Sequence, residues 1–226
     1  MIVKTPGIVI SYVRFKETSI IARIFTRELG LQSYVVNGVR SHKNSGKMAL
    51  YQPMTLLDLV VYKNDRKAIQ RISECRCEYP YQNIPYDMKK SAVLMFSAEL
   101  LGKTVTEENL EDAEKYDFVR QFLIRLDEST EGAEHYPVYF GLHLSRFVGF
   151  EIETGRQLIA ETVFLNSTRM QSMAEYFDVL LQQEVPRDTT IELRREALSC
   201  LLEYYDTHLD GFRHMKSVQV LKQLFS

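Results

Sequence analysis

The chain has no tryptophan, only three cysteines and six prolines, and ten glycines in 226 residues. Cys75, Cys77 and Cys200 cannot all pair with one another, which excludes a disulfide framework and points to a reduced, cytoplasmic setting. No apolar run approaches the roughly 20 residues that span a bilayer, so no membrane partner is expected. The opening MIVKTPGIVISYV lacks a small-residue cleavage site and reads as a first strand rather than a leader. Internal repeats and low-complexity tracts are also missing. Hydrophobic and charged fractions of 45% and 26% are those of an ordinary folded protein.

What the chain does have is a division of charge that its net value of −2 conceals. Residues 1–82 carry thirteen Lys/Arg against six Asp/Glu, a formal +7, and residues 83–226 carry fifteen against twenty-four, a formal −9. The hydrophobic period changes at the same place. Val3, Ile8, Ile10 and Val13 alternate with polar positions, as do the runs 19–27, 33–39, 55–62 and 68–79. In the second run Ile20, Ala22, Ile24 and Thr26 point one way, and Ile21, Arg23, Phe25 and Arg27 the other. Turns are expected at Glu28-Leu29-Gly30 and Asn37-Gly38, and a polar loop at Arg40–Lys47. Five short strands within 80 residues fit a small barrel such as an OB-fold.

After Pro80 and Pro85 the period is helical. Met88–Leu101 is apolar nearly all round, and Phe118, Phe122 and Leu126 form an i, i+4 stripe. Further helices are expected over 137–150, around Met170–Leu181, from a Thr189/Glu192 capping box onward, and over 215–225. The stretch 151–166 is poorly periodic and reads as a loop or a β-excursion. The fold class is therefore α+β: a five-stranded OB-fold barrel over 1–82 followed by an all-helical domain over 83–226.

Signatures of catalysis are weak. Gly46-Lys47 has no glycine at phosphate-loop spacing, and Met48 stands where Ser or Thr is required. Cys75 and Cys77 share one side of a strand without a second Cys or His pair at zinc spacing. Cys200 sits in an apolar LSCLL run, and His143 in an apolar helix. Nothing calls for an enzyme or a cofactor.

The density of positive charge before residue 51 is the functional signal, with eight Lys/Arg against two Asp/Glu. Arg14, Lys16, Arg23, Arg27, Arg40, His42, Lys43 and Lys47 are candidate DNA contacts, with Tyr34 as a candidate stacking surface. Such barrels hold single strands by pairing a basic groove with aromatic faces. An RNA-binding OB-fold protein, or a protein-interaction scaffold whose barrel grips an acidic peptide, is an alternative reading.

Gly7-Ile8-Val9, Glu17-Thr18-Ser19, Phe25-Thr26 with Gly30, Gly38-Val39-Arg40-Ser41 and Gln52-Pro53 stand in an order that resembles the RecO family of recombination mediators. The closing Met215-Lys216-Ser217, Leu221 and Gln223-Leu224-Phe225 resemble the end of that family. The resemblance implies a non-enzymatic protein that binds single- and double-stranded DNA and anneals strands coated by single-strand-binding protein (SSB). It also implies help in loading RecA together with RecR, and receipt of the SSB C-terminal tail by the helical domain. Arg120, Arg125 and Arg146 are candidates for the last role. Two departures stand out: the four-cysteine zinc module of many members has no counterpart in 151–167, and Asn37 replaces a basic residue common before the glycine that follows.

Overall fold

The alternating residues of the first eighty positions fold as five strands: β1 (Ile2–Phe15), β2 (Ser19–Thr26), β3 (Gly30–Val36), β4 (Leu56–Tyr62) and β5 (Ile69–Cys77). The computed structural model describes the chain except residues 41, 65, 106–111, 167, 211, 213–214 and 226 and the side chains of 42–45 and 165–166. The strands close into a barrel in the order β1-β2-β3-β5-β4. All pairs are antiparallel except β3 with β5, where Ser33 lies opposite Ile69 and Val35 opposite Arg71. This is the OB-fold expected from the strand spacing. Closure is completed by the short β3–β5 seam, Ser33–Val35 against Ile69–Arg71.

Ile20, Ala22 and Ile24 point inward with Val9, Leu57, Leu59 and Val61 to form the barrel core. Gly7 is required there, since a Cβ would stand 2.7 Å from Ile24 Cγ2 and 2.9 Å from Leu59 Cδ1. The turn after β2 is held by Thr26, whose hydroxyl accepts from Leu29 N at 3.2 Å and donates to Gly30 O at 2.8 Å.

One expectation is corrected at the end of β3. The polar stretch read as a loop enters a 3₁₀ helix, His42–Tyr51, that packs on the barrel core through Met48, Leu50 and Tyr51. The polar composition of 40–47 had hidden the anchoring residues just beyond it.

The chain forms two compact units, and they are not separated by a single cut. Residues 1–82 pack with 101–125, and residues 83–100 with 126–226. In the first unit α2 (Ala113–Glu128), opened by Asp112 Oδ1 accepting from Lys115 N at 2.9 Å, lies against the outside of the barrel. Its Tyr116 meets Phe25 with ring centroids 6.0 Å apart. The outer row Leu56–Ile8–Phe25–Leu31, each residue opposite the next across the sheet, is thereby buried.

The second unit is all helical. α1 (Met88–Thr104) starts at Asp87, whose Oδ1 accepts from Lys89 N and Lys90 N. The expected helix over 137–150 ends earlier: α3 covers Tyr136–Leu144 and a 3₁₀ turn takes Ser145–Phe147. Ser145 Oγ donates to Leu142 O at 2.7 Å and accepts from Ile152 N at 3.1 Å, which turns the chain.

The stretch expected to be a loop or a β-excursion is also corrected. It forms α4 (Gly155–Ala160) and a 3₁₀ turn, Val163–Asn166. Thr154 caps α4 by accepting from Gln157 N at 3.2 Å. Gly155 fits because a Cβ there would fall 2.3 Å from Ala174 O, and its N–H is taken by Asp178 Oδ1 at 2.7 Å. One and a half turns are too short for a helical period to show in sequence.

α5 (Met170–Leu181) and α6 (Ile191–His208) bury Met173, Phe177 and Leu180, and Leu198, Leu201 and Tyr205. The cap of α6 is Thr190 rather than Thr189; its hydroxyl accepts from Leu193 N at 3.2 Å. The last helix, α7 (Ser217–Leu224), is pinned by Glu99. That carboxylate accepts from Lys216 N and Ser217 N, both at 2.9 Å, and from Ser217 Oγ at 2.6 Å.

His143 is satisfied by Leu180 O at 3.0 Å, and His135 Nδ1 lies 3.0 Å from the Tyr176 hydroxyl. Burial lowers the pKa of His135 below its usual 6.5; Arg194 acts in the same direction and Glu134 against it. A folded state that resists protonation binds fewer protons than the unfolded chain below pH 6.5, so His135 makes stability fall as pH drops through that value. Thermal unfolding at pH 7.5 and 5.5 should show a loss at the lower pH that is smaller in His135→Asn.

Candidate nucleic-acid interface

Burial under α2 decides which part of the barrel exterior remains open. Residues facing each other across antiparallel strands share a face. The outer rows beyond Phe25 are Ser11–Arg23–Ser33–Ile69 and Val13–Ile21–Val35–Arg71–Tyr62–Ile2. Along these rows Val13 is 60%, Tyr62 47% and Ile69 40% exposed, while Ser11, Ile21, Arg23, Ser33 and Val35 are half-buried. An apolar surface in water, interrupted by Arg71 and bordered by Arg23, gains by being covered.

The turn from β4 to β5 borders this face. It contains Lys63, Asn64, Arg66 and Lys67, and Gln70 builds it from beneath. Gln70 Nε2 donates to Asn64 O at 2.9 Å and Lys67 O at 2.6 Å, and its Oε1 accepts from Asn64 N at 2.9 Å. Arg66 N donates to Asn64 Oδ1 at 3.0 Å. Arg66, Lys67 and Arg71 are exposed, and no carboxylate pairs with them among the described residues. The sequence reading missed all three, although KNDRK between two strands was a visible basic turn.

The expected site residues fall into several places. Arg23 is on the open outer face. Arg14 lies opposite Ile20, so it belongs to the inward side where β1 runs past the barrel rim. Lys16 occupies the β1–β2 turn with a positive φ of 53° and stands 5.4 Å from the Phe15 ring. Arg40 joins that turn through its backbone N–H, which donates to Thr18 O at 3.0 Å. Lys47 is exposed on the 3₁₀ segment. The side chains of His42 and Lys43 lie outside the described residues.

Two candidates are corrected. Tyr34 is fully buried in the barrel core, where burial also drives its phenol pKa up, and it offers no face to a base. Arg27 is held in a two-pronged pair with Asp117, Nε to Oδ1 at 2.8 Å and Nη2 to Oδ2 at 2.9 Å. That arginine keeps the Asp117 carboxyl below its ordinary pKa. Strand parity placed Arg27 outward, but α2 covers that outside.

Among the partner candidates, Arg120 donates through Nε to Glu78 Oε1 at 2.6 Å and serves the same α2–barrel packing. Arg125 is exposed on α2, and the Arg146 guanidinium lies 4.4 Å from the Phe147 ring centroid. An apolar cleft lies elsewhere in the helical unit. Pro137, Val138, Ile191, Leu198, Leu221 and Phe225 line it between α3, α6 and α7, rimmed by Arg194, Arg195 and Lys222 with Glu134 as its one acid.

Residues 1–81 match the family described as recombination protein O, N terminal. Over its full length the chain is 30% identical to the DNA repair protein RecO of Flavobacterium psychrophilum, and the match covers the whole of that protein. It is 31% identical to those of Phocaeicola vulgatus and Bacteroides fragilis, again with both chains fully covered. The chain belongs to the RecO family. Membership places it in DNA repair and recombination. Among the described residues no helix is long and apolar enough to cross a membrane, and no His, Cys, Asp and Glu side chains group as metal ligands would.

For this RecO-family barrel, Gln70 is the residue on which the placement of Arg66 and Lys67 depends. Gln70→Ala should cost about 1 kcal/mol or more, since it removes three part-buried hydrogen bonds that hold the turn. Denaturant unfolding measures the loss, and faster amide exchange confined to residues 64–67 locates it.

Proposed function

We infer that this protein is a non-enzymatic, cytoplasmic recombination mediator that binds DNA through the open outer face of its barrel. The observation that carries this reading is the outer row Val13–Ile21–Val35–Arg71–Tyr62, in which exposed Val13 and Tyr62 and half-buried Ile21 and Val35 surround Arg71, with Arg23, Arg66 and Lys67 beside it. Apolar and aromatic surface accepts the faces of unstacked bases, while cations neutralise the phosphates that flank them. Neither requires a particular base, which suits a protein that acts on any damaged sequence. Family membership supports extending the reading to annealing of SSB-coated strands and to loading RecA with RecR.

Annealing follows from the same physics. Two strands repel through their phosphates, and each cation that replaces a condensed counterion lowers that repulsion. The cleft between α3, α6 and α7 supports a peptide partner in the helical unit: three cations around an apolar floor suit the acidic SSB tail better than the scattered Arg120, Arg125 and Arg146. Binding DNA at the barrel and a tail at the helices would let the mediator ride on coated DNA.

Salt titration separates the contributions. Each single-strand phosphate neutralised adds about −0.7 to the slope of log K against log salt, so Arg66→Ala with Arg71→Ala should flatten it by about 1.4. Tyr62→Ala should leave the slope unchanged and cost about 1–3 kcal/mol of affinity for single strands. Wild-type affinity in both variants would remove the outer face as the binding surface.

A further inference from the structure

The cations that the sequence groups into one basic cluster are divided by the β1–β2 hairpin. On β2, Arg23 shares its face with Ser11 and Ser33, the exterior. Arg14 shares its face with Ile20, which is fully buried inside. At that end of the hairpin, Tyr12 covers the barrel core together with Val36, Met48 and Leu50. The 3₁₀ segment that contributes Met48 and Leu50 also carries Lys47 outward. The β1–β2 turn holds Lys16, and Arg40 is tied to its Thr18 carbonyl. Arg14, Lys16, Arg40 and Lys47 are all exposed, and no ion pair engages them among the described residues. Glu17 is the one acid in the turn.

Arg14 points to the face opposite Arg23 and Arg71, because opposite faces of a sheet point away from one another, and Lys16, Arg40 and Lys47 stand on the turn and the 3₁₀ segment at that end of the hairpin. Their surroundings also differ. The outer face offers apolar and aromatic surface to bases, whereas the mouth offers charge with Phe15 tucked beneath Lys16.

We propose that the barrel carries two separate nucleic-acid tracks, an outer one that holds a single strand by bases and phosphates and a mouth track, Arg14, Lys16, Arg40 and Lys47, that holds a second strand by its phosphates alone. The proposal rests on the DNA-binding reading above and adds to it that one molecule bridges two strands. Pairing two strands then becomes an encounter within one complex, at the high effective concentration that tethering gives. Because the mouth track reads charge only, it accepts single strands and duplex backbones alike, and it is the more salt-sensitive of the two.

The test uses the full chain with two non-complementary oligonucleotides, one carrying a fluorescence donor and the other an acceptor. Sedimentation of the same samples counts the protein chains per complex. The expected result is energy transfer from complexes of one protein and two oligonucleotides. In the combined variant Arg14→Ala, Lys16→Ala, Lys47→Ala, transfer should drop by about ten-fold or more while affinity for one oligonucleotide changes by about two-fold or less. Saturation at one oligonucleotide per protein, transfer only from complexes with two protein chains, or undiminished transfer in the variant would each overturn the two-track proposal and leave DNA binding standing. Failure of the wild type to bind either oligonucleotide would instead overturn the DNA-binding reading itself.

Discussion

Phe25 points out of a barrel and yet has no exposed surface. Tyr116 of α2 covers it, and two ion pairs on either side, Arg27 with Asp117 and Arg120 with Glu78, fix how the helix lies. Burying one large aromatic ring is worth about 1.5–3 kcal/mol, so the ring fastens the helix and the charged pairs set its register. The proposed outer binding face follows from this asymmetry. A barrel with a uniform exterior would have no preferred binding face; one with a helix laid along part of its outside has a remainder, and that remainder carries Arg23, Arg71 and the exposed Val13 and Tyr62.

Most of the fold was readable from period alone. Alternation located all five strands and split β2 into two faces; the structure makes Ile20, Ala22 and Ile24 the barrel-core side, a choice that alternation alone did not make. The helical period located α1, α2, α5 and α6. What failed were short elements whose stability comes from neighbours: α4 is made possible by Gly155 against Ala174, and the 3₁₀ segment after β3 by Met48, Leu50 and Tyr51 meeting the core. Neither contact has a local signal.

The candidate site was legible in kind and only partly in place. Parity states which way a side chain points but not what lies there, so Arg27 and Arg120 looked like free cations until their carboxylates were found. Tyr34 was undecided between wall and surface, and the inward parity it shares with Ala22 settles it as wall. Arg66, Lys67 and Arg71 were overlooked because their value comes from topology: the parallel pairing of β3 with β5 sets Arg71 opposite Val35 and brings the turn before it to the same end of β3. Charge density along the chain cannot show that. The split between positive and negative halves did survive folding in a modified form: Asp117 of the acidic half neutralises Arg27 and Asp58 pairs with Arg76, while Arg14, Lys16, Arg23, Arg40, Lys47, Arg66, Lys67 and Arg71 have no ion pair among the described residues.

Amide hydrogen exchange of the intact chain with and without saturating single-stranded DNA tests the central claim most directly. With the exterior open only where α2 leaves it, slowed exchange should concentrate in residues 20–24, 32–36 and 63–72, while 113–125 stay unchanged. Slowing confined to the helical residues 126–226, or spread over α2, would show that the strand is gripped somewhere other than the uncovered side of the barrel.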